Sequence, residues 1–373
     1  MKRLTLLVLL AGSLFAADKV SHTIPEWLVL AEQGDPVALN TVLDTYFKQK
    51  IEDSSYPAVL KLFLTFAEKG DLNYQNLVGQ IYTYGKGMPV NEAEAAKWFL
   101  KAAEQGDAFA QGQIGFRLAN GTGVPKNVEA GLDWLRKSAA QKDPASQYLL
   151  CLFYEGRMGV TQDFVVAADW CRQAADSGYA DAQVHMGEIY VAGRGVTKDP
   201  ALAAEWYRKA AAQNHAKAEF ELGRLYGTGR GVPQDDVAAR AWYEKSAGHR
   251  YGSAMYNLAE MHAAGRGGPQ DYEAATKWYW EAVIYEDPRA MYTYARMLME
   301  GKHVEKNEME ALALLYLAIG TTDPASRAIY QAELDKLAAR LTPAQIEEAK
   351  TASRDIEENN MMERYTDENV RNK

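Results

Sequence analysis

Apolar and small residues recur along the chain at the three- and four-residue spacing of an amphipathic helix. In one clear example they fall at Ala218, Leu222 and Leu225, and the glycine-rich segment GTGRGVPQ follows. Glycine tolerates a positive φ, so this segment is expected to end the helix. Asp235 comes next, where an N-cap side chain accepts hydrogen bonds from the free amides of a second helix. The pattern therefore predicts a helix, a glycine turn and a capped helix.

This unit recurs at a fixed spacing of 36 residues, which tryptophans mark most clearly. They are Trp98, Trp134, Trp170, Trp206, Trp242 and Trp278. An Asn or Asp at the cap position, a turn glycine and an Ala or Ser in the first helix recur in the same phase. A single helical hairpin cannot bury both of its faces, so such units must stack on one another. We expect the tryptophans to fill the space between neighbouring repeats.

The segment LGRLYGTGRGVPQDDVAARAWYEKSA, which begins at Leu222, resembles the Sel-one-like repeat, a relative of the tetratricopeptide repeat. It carries the Leu-Gly-x-x-Tyr helix, the glycine turn, the Asp and the Trp-Tyr pair of that family. The resemblance is clear over residues 71–322. It implies an all-α fold, a right-handed αα-superhelical solenoid of about eight helix pairs.

Outside the clear repeats the pattern changes. Residues 24–70 keep the phase weakly and are interpreted as degenerate N-terminal repeats. Residues 323–358 form two charged helical patterns, interpreted as C-terminal capping helices, and Thr342 is the expected N-cap of the second. Residues 359–373 are polar and are expected to be a frayed tail.

The first residues, 1–17, have the pattern of an export signal. Lys2 and Arg3 precede an apolar stretch that is too short to span a bilayer and that ends at Ala16 and Ala17. This predicts a cleaved signal peptide and a periplasmic or secreted protein. No later segment approaches the length of a transmembrane helix.

The sequence predicts no catalytic site, no cofactor site and no metal site. The chain has no HExxH, CxxC, P-loop, GxSxG or SxxK motif, and its six histidines share no ligand spacing. A formal charge of −9 disfavours nucleic acid as a partner. Cysteine-rich members of the same family are β-lactamase-like, but their recurring cysteine pairs are absent here. A non-enzymatic protein is therefore predicted, with an envelope hydrolase or glycan-binding protein of that type as the alternative.

The chain has two cysteines, Cys151 in the first helix of one repeat and Cys171 in its second helix. In an oxidising compartment a bridge would close a loop of about 20 residues, worth about 3 kcal/mol in the chain-entropy model. Two buried thiols are the alternative, because sequence does not give the geometry of the β-carbons.

The resemblance implies that the first helices line a concave groove, and there we expect a protein or peptide partner to bind a monomer. The 36-residue spacing selects an aromatic position and, one turn later, a position that changes from apolar to charged. The predicted groove residues are Phe116, Tyr148, Glu188, Phe220, Arg224, Tyr256, Glu260, Tyr292 and Arg296. Aromatic and Arg residues are favoured anchors at interfaces. Alternatively, the aromatics pack within the repeats and the charges form an ion-pair ladder between them.

A second row of basic residues lies between or beside the turn glycines. Its members are Lys86, Arg194, Arg230, Arg266 and Lys302. The row has two interpretations, an edge that meets anionic polysaccharide or headgroups and a set of solvated spacers.

Overall fold

The structure, a computed structural model, describes residues 23–48, 53–85 and 88–371, with side chains up to residue 358. The predicted signal peptide and Lys86 lie outside the described residues. Within these ranges all regular structure is helical and no strand occurs, which confirms the predicted all-α class. The chain divides into two compact units, residues 1–177 and 178–373.

Unit 1 contains nine α-helices in its described part, together with two short 3₁₀ helices, Asp53–Ser55 and Arg157–Gly159. The α-helices are α1 (Ile24–Glu32), α2 (Pro36–Phe47), α3 (Tyr56–Glu68), α4 (Leu72–Tyr84), α5 (Glu92–Glu104), α6 (Ala108–Asn120), α7 (Val128–Ala140), α8 (Pro144–Tyr154) and α9 (Phe164–Asp176).

Unit 2 contains ten α-helices in its described part. They are α10 (Ala180–Ala192), α11 (Pro200–Ala211), α12 (Ala216–Thr228), α13 (Asp236–Gly248), α14 (Gly252–Ala264), α15 (Tyr272–Ile284), α16 (Pro288–Glu300), α17 (Glu308–Thr321), α18 (Pro324–Ala338) and α19 (Pro343–Arg371).

The predicted repeat is confirmed in each unit as a first helix, a glycine turn and a second helix. In one example Gly229 ends α12 in the left-handed conformation, at φ 67°. Asp235 then caps α13, since its carboxylate accepts a hydrogen bond of 2.9 Å from the amide of Ala238. The third position of most first helices is a small residue, and the alanines there, such as Ala218 and Ala254, are fully buried. Small residues at this position let consecutive helices pack closely.

The second glycine of the turn has a separate role in stacking. Gly231 has φ 74°, and a Cβ built there would overlap the backbone of Pro200, the first residue of the preceding second helix. Gly267 stands in the same relation to Asp236 one repeat later, and Gly123 to Glu92 in unit 1. The turn therefore packs directly on the helix start of the preceding repeat.

The C-terminal end of unit 2 is covered by α18 and α19. Leu334 and Leu337 of α18 and Ala349 of α19 belong to the same buried core as the last repeats. Thr342 caps α19 as predicted, since its hydroxyl oxygen accepts a hydrogen bond of 3.3 Å from the amide of Gln345, and its own amide donates to the Gln345 side chain at 2.9 Å. The helix α19 continues through most of the polar segment 359–373 and ends at Arg371, and fraying of this segment stays a prediction. No Gly or Pro follows Pro343, so nothing in the sequence stops the helix.

None of the helices in the described residues combines the length and the apolar character that crossing a bilayer requires.

Candidate functional site

The predicted site residues of unit 2 lie on the first helices α12, α14 and α16, with Glu188 on α10. We call this surface the first-helix face of unit 2. Its aromatic residues occupy the fifth position of three consecutive first helices, and its charged residues occupy the ninth position, one turn later. The aromatic residues are Phe220, Tyr256 and Tyr292, and the charged residues are Glu188, Arg224, Glu260 and Arg296.

Phe220 is buried and belongs to an aromatic group at the start of this face. Its ring centroid lies 5.1 Å from that of Tyr251 and 5.8 Å from that of Tyr243. The guanidinium of Arg224 lies 5.9 Å from the same centroid, within cation–π range. Phe220 is therefore part of the packing beneath the surface, and Arg224 is the exposed member of the pair.

Tyr256 is half-buried and carries a stacked arginine. The guanidinium of Arg289 lies 4.4 Å from the Tyr256 ring centroid. Asp287, which is buried, holds Arg289 in place, with its carboxylate 2.6 Å from the terminal nitrogen. The same carboxylate accepts a hydrogen bond of 3.0 Å from Ser253 on α14. This network fixes the aromatic ring and the cation in one orientation, with the arginine partly accessible to solvent.

Tyr292 is half-buried and stacks on Tyr330 of α18, with a centroid distance of 4.4 Å and an interplanar angle of 17°. The face therefore ends against the capping helix, and Tyr292 is covered on one side by the unit itself. Of the three predicted aromatic anchors, Tyr256 is the one that combines a partly exposed ring with a stacked cation.

The charged row does not form the ion-pair ladder considered as an alternative. Arg224 pairs with Glu221 on its own helix at 3.1 Å, and Arg296 pairs with Glu300 on its own helix at 3.2 Å. Glu260 accepts a hydrogen bond from the hydroxyl of Tyr279. Each of these three side chains therefore pairs with a residue outside the row and not with the next member of the row.

Glu188 lies in a separate charged network. Lys217 of α12 forms an ion pair with its carboxylate, and Nδ1 of His185 lies 3.2 Å from the second oxygen. Burial raises the pKa of Glu188, but the hydrogen bonds from His185 and Lys217 and the charge of Lys217 outweigh burial and hold the pKa at about 2. This carboxylate therefore binds two neighbouring first helices together.

In unit 1 the predicted residues lie in a different environment. Phe116 of α6 is 37% exposed and lines a cleft of about 380 Å³ with Phe109 and Leu149. Gly112 occupies the fifth position of α6, where α8, α12, α14 and α16 have an aromatic residue and α10 has Val. Tyr148 of α8 is half-buried. A Cβ at Gly112 would lie 2.5 Å from the hydroxyl oxygen of Ser146, so this glycine lets α6 and α8 pack closely at the base of the cleft.

Sequence reasoning missed the buried arginine at the edge of this cleft. Arg117 donates to Thr83 at 2.5 Å, to Gln113 at 3.0 Å and to Glu92 at 3.1 Å, and its guanidinium lies 4.8 Å from the centroid of the Phe99 ring. Burial lowers the pKa of Arg117, while the Glu92 carboxylate opposes this shift.

Arg289 and Lys217 were missed as well, although one signal could have found them. They occupy the same second position of the first helix, which is polar or charged throughout unit 2. The 36-residue spacing, applied to that position, would have selected both.

Cys151 and Cys171 lie side by side in unit 1. Both are buried, one on α8 and one on α9, and their sulfurs lie within 4.8 Å of one another. This places the predicted pair on the shared face of one hairpin, and the disulfide itself stays a prediction.

The basic row at the turns is explained in part by contacts between repeats. Arg266 pairs with Asp236 of the preceding second helix at 2.5 Å and donates to the carbonyl of Gly227 at 3.3 Å. The hydrogen bond to Asp236 raises the pKa of Arg266. Arg266 therefore links its own repeat to the preceding one. It is neither a solvated spacer nor a free edge for anionic polysaccharide or headgroups.

Two solved structures resemble the chain in fold. A Sel1 repeat protein from Oxalobacter formigenes is 24% identical, with a TM-score of 0.66, over 88% of this chain and 99% of that one. A protective antigen of uropathogenic Escherichia coli strains, which displays an SLR fold, is also 24% identical, with a TM-score of 0.57, over 88% of this chain and 85% of that one. No curated protein matches the chain.

The family model described as Sel1 repeat matches seven successive segments, which together make up more than half of the chain. They are residues 73–107, 108–143, 144–179, 180–215, 216–249, 252–282 and 288–319. The segments keep the phase that the tryptophans mark, and each spans a first helix, a glycine turn and most or all of a second helix. The chain therefore belongs to the Sel1 repeat family.

Proposed function

We propose that this Sel1 repeat protein is an exported, non-catalytic scaffold that binds a protein or peptide partner in a groove lined by its first helices. The observation that carries the proposal is the stack of Arg289 on Tyr256, held by the buried carboxylate of Asp287. Tyr and Arg are enriched among the residues that dominate binding energy at protein interfaces. A stack that is already ordered loses little conformational entropy on binding, which favours affinity.

The charged neighbours of Tyr256 support the same proposal. Arg224 and Arg296 are each about half exposed, and their ion pairs lie within single helices. Surface pairs of this kind contribute little to stability. A carboxylate of a partner can therefore replace Glu300, which is half exposed, at small cost, so that the face offers an exchangeable charge beside a fixed aromatic ring.

A crosslinking experiment tests the location of the partner. A photo-crosslinking amino acid at Arg296 on the first-helix face is compared with one at Glu205, which is exposed on second helix α11. After irradiation in the native envelope, we expect one specific adduct from position 296 and none from position 205, and the partner identified by mass spectrometry should bind the purified protein. Adducts from position 205 alone would contradict the proposed face.

Export is the second part of the proposal and rests on the sequence of residues 1–17. One structural relative is a protective antigen, which fits a protein that reaches the cell envelope. N-terminal sequencing of the exported form should begin between Ala16 and Val20, and a membrane-bound form with Met1 intact would refute the cleaved signal.

The absence of catalysis is the third part. Members of the family occur with β-lactamase-like character, so a chromogenic β-lactam is the direct test. We expect no turnover by the purified protein, and turnover that a single substitution abolishes would make the hydrolase alternative the better one.

A further inference from the structure

The recurring tryptophans lie on the second helices, and their contacts show what the second-helix surface of each unit can bind. In four repeats a lysine three residues after the tryptophan places its ammonium over the indole ring. The distances from Nζ to the ring centroid are 3.9 Å for Lys101 on Trp98, 4.1 Å for Lys137 on Trp134, 3.6 Å for Lys209 on Trp206 and 4.3 Å for Lys245 on Trp242. Each is a cation–π contact. The repeat therefore places a lysine ammonium on the tryptophan ring in four separate repeats.

Trp278 departs from this pattern. Glu281 stands where the other repeats have the lysine, and Trp278 is half-buried on α15. In the described part of the chain no cation is placed over the Trp278 ring. At Trp170 the corresponding residue is Gln173, which has no charge. Trp278 is therefore the tryptophan of the row at which a carboxylate has replaced the ammonium.

A cleft lies against Trp278 on unit 2. It has a volume of about 720 Å³ and is lined by residues of α13, α14 and α15. The equivalent cleft one repeat earlier, beside Trp242, has a volume of about 460 Å³, and Lys245 lines it. The larger cleft is thus the one in which no lysine of the chain covers the indole.

The charges around the larger cleft favour a cation. Asp271, Glu273 and Glu281 supply three carboxylates, against the two cations Lys277 and Arg250. Lys277 is paired with Glu273 at 2.9 Å, so its charge is already compensated. A partner ammonium on the ring would meet an indole face and an acidic rim together.

We propose that the Trp278 cleft binds the lysine side chain of a basic peptide segment. The ammonium stacks on the indole as Lys245 does on Trp242, and Glu281 and Asp271 supply the opposite charge. Lysine is the occupant because the chain itself places a lysine on the indole in four of the six repeats that carry the tryptophan. The cleft is lined by second helices α13 and α15 together with Met255 of α14, and none of the charged or aromatic residues of the first-helix face lines it, so the inference stands apart from the proposed function.

The test is a titration of the full chain with trilysine, followed through the indole N–H resonance of Trp278 in a ¹⁵N spectrum. The Trp278→Phe variant assigns the resonance. We expect a saturable shift that is weakened by added salt, and no shift with trialanine. Equal shifts with both peptides, or none with trilysine, would overturn the proposal.

Glu281→Lys is the decisive variant, because it restores the residue that the other four repeats have. The new lysine should cover the indole and weaken trilysine binding at least about tenfold. Glu205→Lys is the matched control. It makes the same charge change on an exposed helix position where other repeats carry Lys97 and Lys277, and it should leave binding unchanged.

A second variant and a second ligand extend the test. If Glu281→Lys loses helical circular dichroism, Glu281→Gln removes the carboxylate alone and should weaken binding about threefold or more. Binding that survives both changes would overturn the proposal. Tetramethylammonium binding without trilysine binding would assign the cleft to a small quaternary amine and would likewise refute the peptide.

Discussion

The two units build the same repeat, but α6 of unit 1 and α14 of unit 2 present different surfaces at the fifth position of the first helix. In α6 of unit 1 this position is Gly112, and an open cleft lies between Phe109 and Phe116. In α14 of unit 2 it is Tyr256, whose ring carries a stacked arginine. The residues that build the repeat are therefore separate from those that determine its surface chemistry, and a partner can distinguish one unit from the other.

The arginines of the first helices show the same difference. The Arg117 side chain in unit 1 is 5% exposed, with three hydrogen-bond partners, whereas Arg296 in unit 2 is 52% exposed, with one ion pair on its own helix. The first is part of the core and the second is part of the surface, so their removal should have different consequences.

Replacing Arg117 should produce the largest effect. Arg117→Ala removes the stack on Phe99 and leaves Glu92 without its buried partner, so unit 1 should lose about 3–5 kcal/mol of unfolding free energy. Arg296→Ala should cost less than about 1 kcal/mol. Denaturant unfolding followed by circular dichroism measures both, and equal losses would show that the two units do not differ in this respect.

Reduction of the protein should affect unit 1 alone, because both cysteines lie there. If Cys151 and Cys171 are bridged in the exported protein, reductant should lower the stability of unit 1 by about 3 kcal/mol. Hydrogen exchange should show faster opening of α8 and α9 and unchanged α14. Mass spectrometry without reductant checks the bridge itself, and two thiols that both react with alkylating agent under oxidising conditions would exclude it.

Acid should weaken unit 2 through Glu188. Its pKa in the folded state, about 2, lies below the ordinary value of 4.5, so its contribution is present above about pH 4.5 and is lost as pH falls towards 2. The contribution should be on the order of 2–3 kcal/mol. Glu188→Gln should therefore be less stable than the original chain at pH 7, and this difference should shrink at pH 3. A difference that stays constant with pH would exclude this carboxylate as the source.

The smallest effect is expected on the first-helix face of unit 2, where binding and not folding should change. Tyr256→Ala combined with Arg296→Ala should weaken the binding of the crosslinked partner about thirtyfold, near 2 kcal/mol. Circular dichroism should show an intact helical fold. Phe116→Ala in unit 1 is the comparison variant, and equal weakening by both would place the partner across the two surfaces.

The repeat frame could be predicted from the sequence because each of its positions has one physical task. A cap such as Asp235 needs a short side chain with an acceptor, and a turn position such as Gly229 needs a positive φ. These demands recur every 36 residues and are visible without coordinates. The same reasoning located the start of α19 at Thr342 and Pro343.

The contacts of the surface could not be predicted, because several partners compete for each charge. Arg224 had acidic residues available on its own helix and on neighbouring repeats, and only the structure shows that Glu221 is the partner. Arg117 looks like a surface residue in the sequence. Its burial depends on Thr83, on α4, and on Glu92, at the start of α5, which are distant in sequence.

The contact between Gly231 and the start of the preceding second helix also limits how the length of the array can change. The glycine meets that backbone at a fixed separation, since Gly231 follows Pro200, Gly267 follows Asp236 and Gly123 follows Glu92 by the same number of residues. An insertion or deletion of any length other than a whole repeat would place a residue with a side chain at the contact, and the turn would be forced off its neighbour. Binding surfaces of this architecture can therefore be lengthened or shortened by engineering only in steps of one whole repeat.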